Sequence, residues 1–170
     1  TVESLLDGFD TGHLGTLFVS WLDEAHWTPW EEVFDVGVTT SRAINHLRQG
    51  VEPEQAGLTD EFSNGNGSLM RILPVSLRYF DSPIEVLLDH AHRVSALTHR
   101  HIRCQIACGF YCAVVSEMLR GNKINEAYLW AINSTKALYE QSPYSEELPA
   151  FARVLSGDIG SLSESEIRSS

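Results

Sequence analysis

Residues 102–121, IRCQIACGFYCAVVSEMLRG, predict a long helix and indicate the kind of fold around it. Apolar side chains recur there mostly at three- and four-residue intervals, which places them along one face of an α-helix; they are Ile102, Ala107, Phe110, Val114, Met118 and Leu119. Gly121 ends the pattern, as glycine does at many helix C-termini. Convincing alternating runs are scarce in the rest of the chain. The predicted fold class is therefore all-α.

Helical spacing continues on both sides of this segment and predicts one compact domain of six or seven helices over residues 1–157. The other predicted helices cover about 11–25, 40–50, 69–80, 84–94, 124–140 and 146–156. Residues 158–170 contain little to bury and are predicted to form a frayed C-terminal tail.

Local start signals predict where several of these helices begin. Thr39 or Thr40 is placed to cap the second helix, and Ser68 to cap the third. Pro74 lies inside the third predicted helix, so a kink or a split is expected there. Ser82-Pro83-Ile84-Glu85 combines a capping residue, a first-turn proline and a glutamate three residues after the serine.

Composition excludes several functional classes. The 170 residues are 43% hydrophobic and carry a net charge of -11, which argues against binding to nucleic acid or to an anionic membrane. No apolar run approaches the ~20 residues of a membrane span, and the N-terminus does not resemble a signal peptide. Three closely spaced cysteines do not suggest a disulfide framework. A cytoplasmic protein is the natural interpretation.

The loop over residues 51–67 is the longest in the chain and ends in the glycine-rich segment SNGNGSLMR, residues 63–71. Loops of this length are often functional. Two glycines permit a tight turn or a close approach of the backbone to a ligand, and a following helix N-terminus suits an anion. Ordinary turn chemistry explains the same residues equally well, and both interpretations stay open here.

Histidine and cysteine cluster between residues 90 and 112, but their spacing favours core packing. Cys104, Cys108 and Cys112 form one stripe along a helix and lack the second pair of ligands that structural zinc sites use. His99 differs because it lies in a helix break, where a role in a site is more common. Asp35 also lies where the chain changes direction, as a turn acceptor or a site residue. Trp27 and Trp30 are interpreted as packing residues.

Three motifs in order resemble the ADP-ribosylglycohydrolase family, which includes the dinitrogenase-reductase-activating glycohydrolase. They are Phe34-Asp35-Val36-Gly37-x-Thr39-Thr40, Gly65-Asn66-Gly67-Ser68-Leu69-Met70-Arg71-x-x-Pro74, and Thr98-His99 before an Ala/Cys-rich helix. Each motif alone is weak, whereas the three in this order are fairly specific. The resemblance covers roughly residues 1–157.

The resemblance implies an all-α hydrolase that removes ADP-ribose from a modified protein side chain or a related ADP-ribosyl compound, using two magnesium or manganese ions. It implies a catalytic role for Asp35 and a place for His99 in the same pocket. The implied substrate-binding residues of the loop are Ser63, Asn64, Gly65, Asn66, Gly67, Ser68 and Met70. ADP-ribose or an ADP-ribosylated protein would be the partner.

The chain departs from the family pattern at its metal ligands. The family's N-terminal Thr-Asp-Asp-Thr and C-terminal Asp-x-Asp-Thr segments are absent, and Thr59-Asp60-Glu61 and Gly157-Asp158 do not replace them. Val38 stands where many relatives have asparagine. We therefore expect an internal fragment that is inactive alone and that self-associates through exposed apolar surface. The alternatives are a non-catalytic ADP-ribose-binding module or structural helical paralogue, and a purely structural helical domain whose Cys/His cluster binds a metal.

Overall fold

A computed structural model describes residues 1–6 and 8–168, which form one compact domain with eight α-helices and no named strand. The helices are α1 Val2–Leu6, α2 Thr11–Glu24, α3 Val38–Arg48, α4 Leu73–Tyr79, α5 Ile84–Ala96, α6 Ile102–Leu119, α7 Ile124–Tyr139 and α8 Glu164–Arg168. Short 3-10 turns occupy Pro53–Gln55, Glu61–Ser63, Leu69–Arg71, Tyr144–Glu146, Leu148–Phe151 and Ile159–Ser161. The all-α prediction is confirmed.

Helix α6 is the centre of the fold, and α4, α5 and α7 pack around it. Leu87, Ala91 and Val94 of α5 form one core cluster with Cys108 and Cys112 of α6. By length and composition alone α6 could cross a membrane, but half of it is buried within this domain, as in a central packing helix. The three cysteines are buried and unbridged, in agreement with the predicted packing role.

A glycine on α6 lets three helices meet. A Cβ atom at Gly109 would overlap the Tyr139 hydroxyl and lie 2.7 Å from His92 Nε2. The space is filled by a buried hydrogen-bonded group in which His92 Nε2 is 3.0 Å from the Tyr139 oxygen and His92 Nδ1 is 3.1 Å from the Tyr144 oxygen. This group connects α5 and α7 with the turn that follows α7.

The predicted helix from Leu69 is the clearest correction. Residues 69–71 form a single 3-10 turn, and α4 begins only at Leu73 with Pro74 in its first turn. The predicted split at Pro74 is therefore confirmed, because proline fits only where its missing N–H has no helical partner. Ser68 makes no capping hydrogen bond, since its buried hydroxyl bonds to neighbouring helices instead.

Other predicted boundaries are wrong for local reasons. Gly37 is the N-cap of α3, so Thr39 and Thr40 lie inside the first turn. Pro83, not Ser82, occupies the N-cap position of α5, without a side-chain cap. The predicted helix over 146–156 is replaced by the two 3-10 turns at 144–146 and 148–151, and Pro149 lies in the first turn of the second.

The predicted tail holds a 3-10 turn and the five-residue helix α8, whereas residues 169 and 170 lie outside the described residues. The boundary at residue 157 stays a prediction. The long loop over 51–67 is joined to the α5–α6 junction by an isolated parallel bridge between Leu58 and His99. The Arg100 N–H donates to the Leu58 carbonyl at 3.1 Å. This contact places the glycine-rich end of the loop beside Thr98 and His99.

Candidate functional site

A cleft of about 820 Å³ opens between α2, α3 and the glycine-rich loop. Its wall is mainly apolar and aromatic, formed by residues that include Leu17, Phe18, Trp21, Trp27, Val36 and Ile44. The polar groups on the lining include Glu3, Asp35, Thr40, Gly67, Arg71 and Thr98. Such a volume and an apolar wall with few polar groups are typical of small-molecule sites.

Three of the predicted site residues line this cleft, although they are far apart in sequence. Asp35 comes from the segment before α3, and Gly67 and Met70 come from the loop and its 3-10 turn. The others lie around the loop but not on the cleft lining: Ser63, Asn64, Gly65, Asn66, Ser68 and His99. Ser63 and Ser68 are buried, and Gly65 and Asn66 are exposed.

Asp35 is the carboxylate of the cleft lining that has no hydrogen-bond partner among the described residues. Its side chain is exposed, and no hydrogen bond or ion pair joins it to a described residue. Glu3, the other acid on the lining, accepts hydrogen bonds from Trp27 Nε1 at 2.7 Å and from His26 Nε2 at 3.2 Å. These bonds lower the pKa of Glu3. Asp35 is therefore the acidic group left to accept a hydrogen bond from a ligand hydroxyl or from water.

Side chains of α5 and α6 donate hydrogen bonds to the glycine-rich loop. Cys104 Sγ donates to the Gly65 carbonyl at 3.4 Å, and Cys108 Sγ donates to Ser68 Oγ at 3.4 Å. Ser95 Oγ donates to the same Ser68 oxygen at 2.9 Å. Burial raises the pKa of Cys104 to about 12, so this group stays a thiol at neutral pH. A protonated thiol that is hydrogen-bonded to the loop favours a role in supporting the loop over a role as a nucleophile.

His99 lies directly behind the loop, with only 3% of its surface exposed. A Cβ atom at position 67 would be 2.7 Å from His99 Cε1 and 3.0 Å from Nε2. Glycine is therefore required there so that the backbone can approach the imidazole ring. The close approach is made to the protein's own histidine, and the other side of Gly67 faces the cleft.

Arg71 joins the loop to the end of α5. Its guanidinium donates to the Gly67 carbonyl at 2.9 Å, to Thr98 Oγ1, and to the Val94 carbonyl at 3.5 Å. The same group lies 4.8 Å from the centre of the Phe18 ring. Burial lowers the pKa of Arg71 to about 10, which leaves it cationic at neutral pH. No carboxylate of the described residues forms an ion pair with it.

Sequence reasoning missed part of this site. It quoted Arg71 only as part of a motif, although a lone cation after a glycine-rich loop in an acidic chain is a usable signal. It interpreted Trp27 as a packing residue, whereas the side chain is 81% exposed and lies on the cleft. Trp27 is presented outward by left-handed backbone at φ 61 and by its bond to Glu3. The positions of the tryptophans in the sequence do not indicate this left-handed backbone conformation at Trp27.

The described residues do not fit the pair of divalent metal ions that the family resemblance implies. Within residues 1–6 and 8–168, no group of three or more His, Cys, Asp or Glu side chains could hold a metal ion. The cleft offers the carboxylates of Asp35 and Glu3, and Glu3 is engaged by Trp27 and His26.

The sequence model of the ADP-ribosylglycohydrolase family matches residues 1–169 of the chain. No curated protein and no solved structure shows significant similarity to this chain. The family match spans all the elements that build the cleft, from α1 to the α5–α6 junction.

Proposed function

Because the chain belongs to the ADP-ribosylglycohydrolase family, we propose that it binds the ADP-ribosyl group of a modified protein side chain or a related compound in this cleft. The hydrolysis for which the family is named would release the bound group. The main support for the proposal is that Asp35, Gly67 and Met70 line the same cleft. Asp35 is far from the other two in the sequence, so their proximity does not follow from local chain geometry.

The chemistry of the cleft suits such a ligand. Aromatic side chains on the wall, Phe18, Trp21 and Trp27, offer faces on which an adenine ring can stack. Arg71 supplies positive charge at the loop, where a pyrophosphate would gain charge-assisted hydrogen bonds. Asp35 is free to accept a hydrogen bond from a ribose hydroxyl or to orient a water molecule. The proposal assigns these three roles to one ligand.

Turnover is a separate part of the proposal. The divalent ions of the family would supply Lewis-acid polarisation and substrate orientation when bound. The 170 residues lack both acidic motifs that hold these ions in the family, so we expect this chain to bind ADP-ribose without hydrolysing its conjugates. A non-catalytic ADP-ribose-binding module is the second candidate. It is favoured because the described residues contain no group of three or more His, Cys, Asp or Glu side chains that could hold a metal ion.

Isothermal titration calorimetry with ADP-ribose tests the binding site. We expect saturable binding that Asp35→Ala weakens about tenfold, since a hydrogen bond to a charged group contributes about 1.5 kcal/mol. Asp81→Ala is the matched control, because Asp81 is also exposed and does not line the cleft. Absence of binding at millimolar ADP-ribose, or equal affinity in the Asp35 and Asp81 variants, would contradict the assignment.

Release of ADP-ribose from a mono-ADP-ribosylated protein, with magnesium or manganese added, tests turnover. We expect only background release from the 170-residue chain. Measurable release would contradict the expected inactivity and support the hydrolase directly. The coding sequence on both sides of this segment separates the two candidates, because acidic motifs there favour the enzyme and their lack favours the binding module.

A further inference from the structure

The side chains of Arg71, Thr98 and His99 form a hydrogen-bonded series beside the loop that nothing in the family match assigns. We propose that Arg71 and Thr98 are positioning residues that hold His99 as the Nε2–H tautomer behind Gly67 and so fix the loop for its ligand. The part that concerns the ligand rests on the proposed ADP-ribose site. The part that concerns the tautomer does not.

The direction of the series follows from the donors available. Arg71 can only donate, so Thr98 Oγ1 is the acceptor of the bond between them. The hydrogen of the Thr98 hydroxyl is then free, and His99 Nδ1 lies 2.8 Å from Oγ1. No other described residue accepts from that hydroxyl. When Thr98 donates to Nδ1, which then carries no hydrogen, its hydroxyl hydrogen has an acceptor; the opposite direction would leave that hydrogen without one.

The ring is neutral in the physiological range. Burial, aided by the nearby Arg71 charge, lowers the pKa of His99 to about 4. A neutral imidazole has one hydrogen on one of its two nitrogens. Since Nδ1 is occupied as an acceptor, that hydrogen is on Nε2.

The Nε2 atom faces the glycine-rich loop. Ideal Cβ positions at Gly67 and Gly65 would lie 3.0 Å and 3.9 Å from it. Nε2 has no hydrogen-bond partner among the described residues, which leaves an N–H group directed towards the loop. This N–H group lies on the side of Gly67 away from the cleft, so its effect on a ligand would act through the position of the loop.

One guanidinium controls both parts of this arrangement. Arg71 donates to the Gly67 carbonyl and to the Thr98 hydroxyl, so the position of the loop and the tautomer of His99 depend on the same side chain. A lysine at position 71 presents a single ammonium group and does not reproduce the planar fork of arginine. The arrangement therefore requires arginine at position 71 and a hydroxyl at position 98.

Nitrogen-15 NMR of the imidazole groups tests the tautomer in the ligand-free chain, and calorimetry with ADP-ribose tests its consequence. In the original chain we expect the Nε2–H pattern for His99, assigned by its loss in His99→Gln. Thr98→Val keeps the shape but removes the hydroxyl, so we expect the nitrogen-15 signal of Nδ1 to move towards that of an imidazole nitrogen without a hydrogen bond, and affinity for ADP-ribose to weaken by about five- to tenfold. Thr98→Ser should restore both, and Arg71→Lys should weaken both.

Thr135→Val is the matched control, because Thr135 is a buried threonine whose hydroxyl donates to the Ala131 carbonyl within α7. It should change neither the His99 spectrum nor the affinity for ADP-ribose. An unchanged Nδ1 signal in Thr98→Val would overturn the series. A changed Nδ1 signal with unchanged affinity would overturn the positioning role. Failure of the original chain to bind ADP-ribose would contradict the proposed function, whereas the spectra would still decide the tautomer.

Discussion

The contact between Gly67 and His99 shows, at the scale of single residues, how a glycine motif can be required by packing behind a site. The sequence left two interpretations of Gly65-Asn66-Gly67 open, a turn or a close backbone approach. The structure shows a close approach at Gly67, and the approaching group is an imidazole ring of the same chain. Residue spacing cannot identify that partner, because His99 is 32 residues away and lies beside the loop only through the α5–α6 junction.

Gly67→Ala tests this contact. The added methyl group would lie 2.7 Å from His99 Cε1, so the loop or the ring must move, and the free energy of unfolding should fall by about 1–3 kcal/mol. Gly160→Ala is the control, since its Cβ would make an ordinary contact of 3.6 Å with Asn125 Oδ1. Urea unfolding followed by circular dichroism measures both. Equal stability of the two variants would contradict the packing requirement.

Buried histidines make stability depend on pH. Burial lowers the pKa of His92 to about 4, whereas a histidine in the unfolded chain titrates near 6.5. The unfolded chain therefore binds the proton first as the pH falls. The contribution of His92 to stability is complete above pH ~6.5 and is lost progressively between ~6.5 and 4, by roughly 3 kcal/mol in total.

Denaturant unfolding at several pH values measures this loss. His92→Gln should reduce the slope between pH 6.5 and 4, although it also removes the hydrogen bonds to Tyr139 and Tyr144 and lowers stability at pH 7. His99 contributes in the same direction, because its pKa is also lowered to about 4. A slope that is the same with and without His92 would show that its pKa is not lowered in the folded chain.

Helices with several turns of apolar residues could be predicted from the sequence, whereas short elements that depend on local backbone conformation could not. A stripe of apolar residues predicted each of α2, α5, α6 and α7, because a helix of 13 or more residues contains enough turns to show the 3.6-residue period. The five residues of α1 are too few for a period, and it was missed. Pro149 and the 3-10 turns around it replaced a predicted helix, since proline removes a backbone donor.

Gly109→Ala tests the packing of α6 against α5 and α7. In an exposed helix this change would stabilise by up to ~1 kcal/mol, because alanine is the better helix former. Here the new methyl group would overlap the Tyr139 hydroxyl, so we expect the free energy of unfolding to fall by about 2–3 kcal/mol. Adding Tyr139→Phe removes the overlapping oxygen, and the double variant should be less destabilised than the sum of the two single variants. Additive losses would contradict direct contact.

For the molecule as a whole, the family resemblance and the helical periodicity predicted different things. Helical periodicity gave the fold class but no cleft. The resemblance singled out nine residues, of which Asp35, Gly67 and Met70 line the cleft, and the roles of all nine stay predictions. The aromatic walls were not predicted, since they depend on how α2 and the segment after it are placed against α3. That placement depends on long-range contacts which spacing along the chain does not contain.

Exposed aromatic side chains before α3 predict a property of the whole molecule. Trp30 and Phe34 are 78% and 84% exposed, close to the exposed Trp27. We therefore propose that the chain self-associates as its concentration rises, because burying this surface removes apolar area from water. A net charge of -11 opposes the association, so added salt should strengthen it by screening the repulsion.

Light scattering after size-exclusion chromatography measures this over a range of protein and salt concentrations. Trp30→Gln combined with Phe34→Gln should return the mass towards 19.0 kDa, the mass of one chain. Leu119→Gln is the control, because it replaces an exposed apolar residue at the end of α6, outside the segment before α3. A mass of one chain at every concentration and at high salt would contradict the prediction. An equal effect of both variants would show that association does not depend on the aromatic segment in particular.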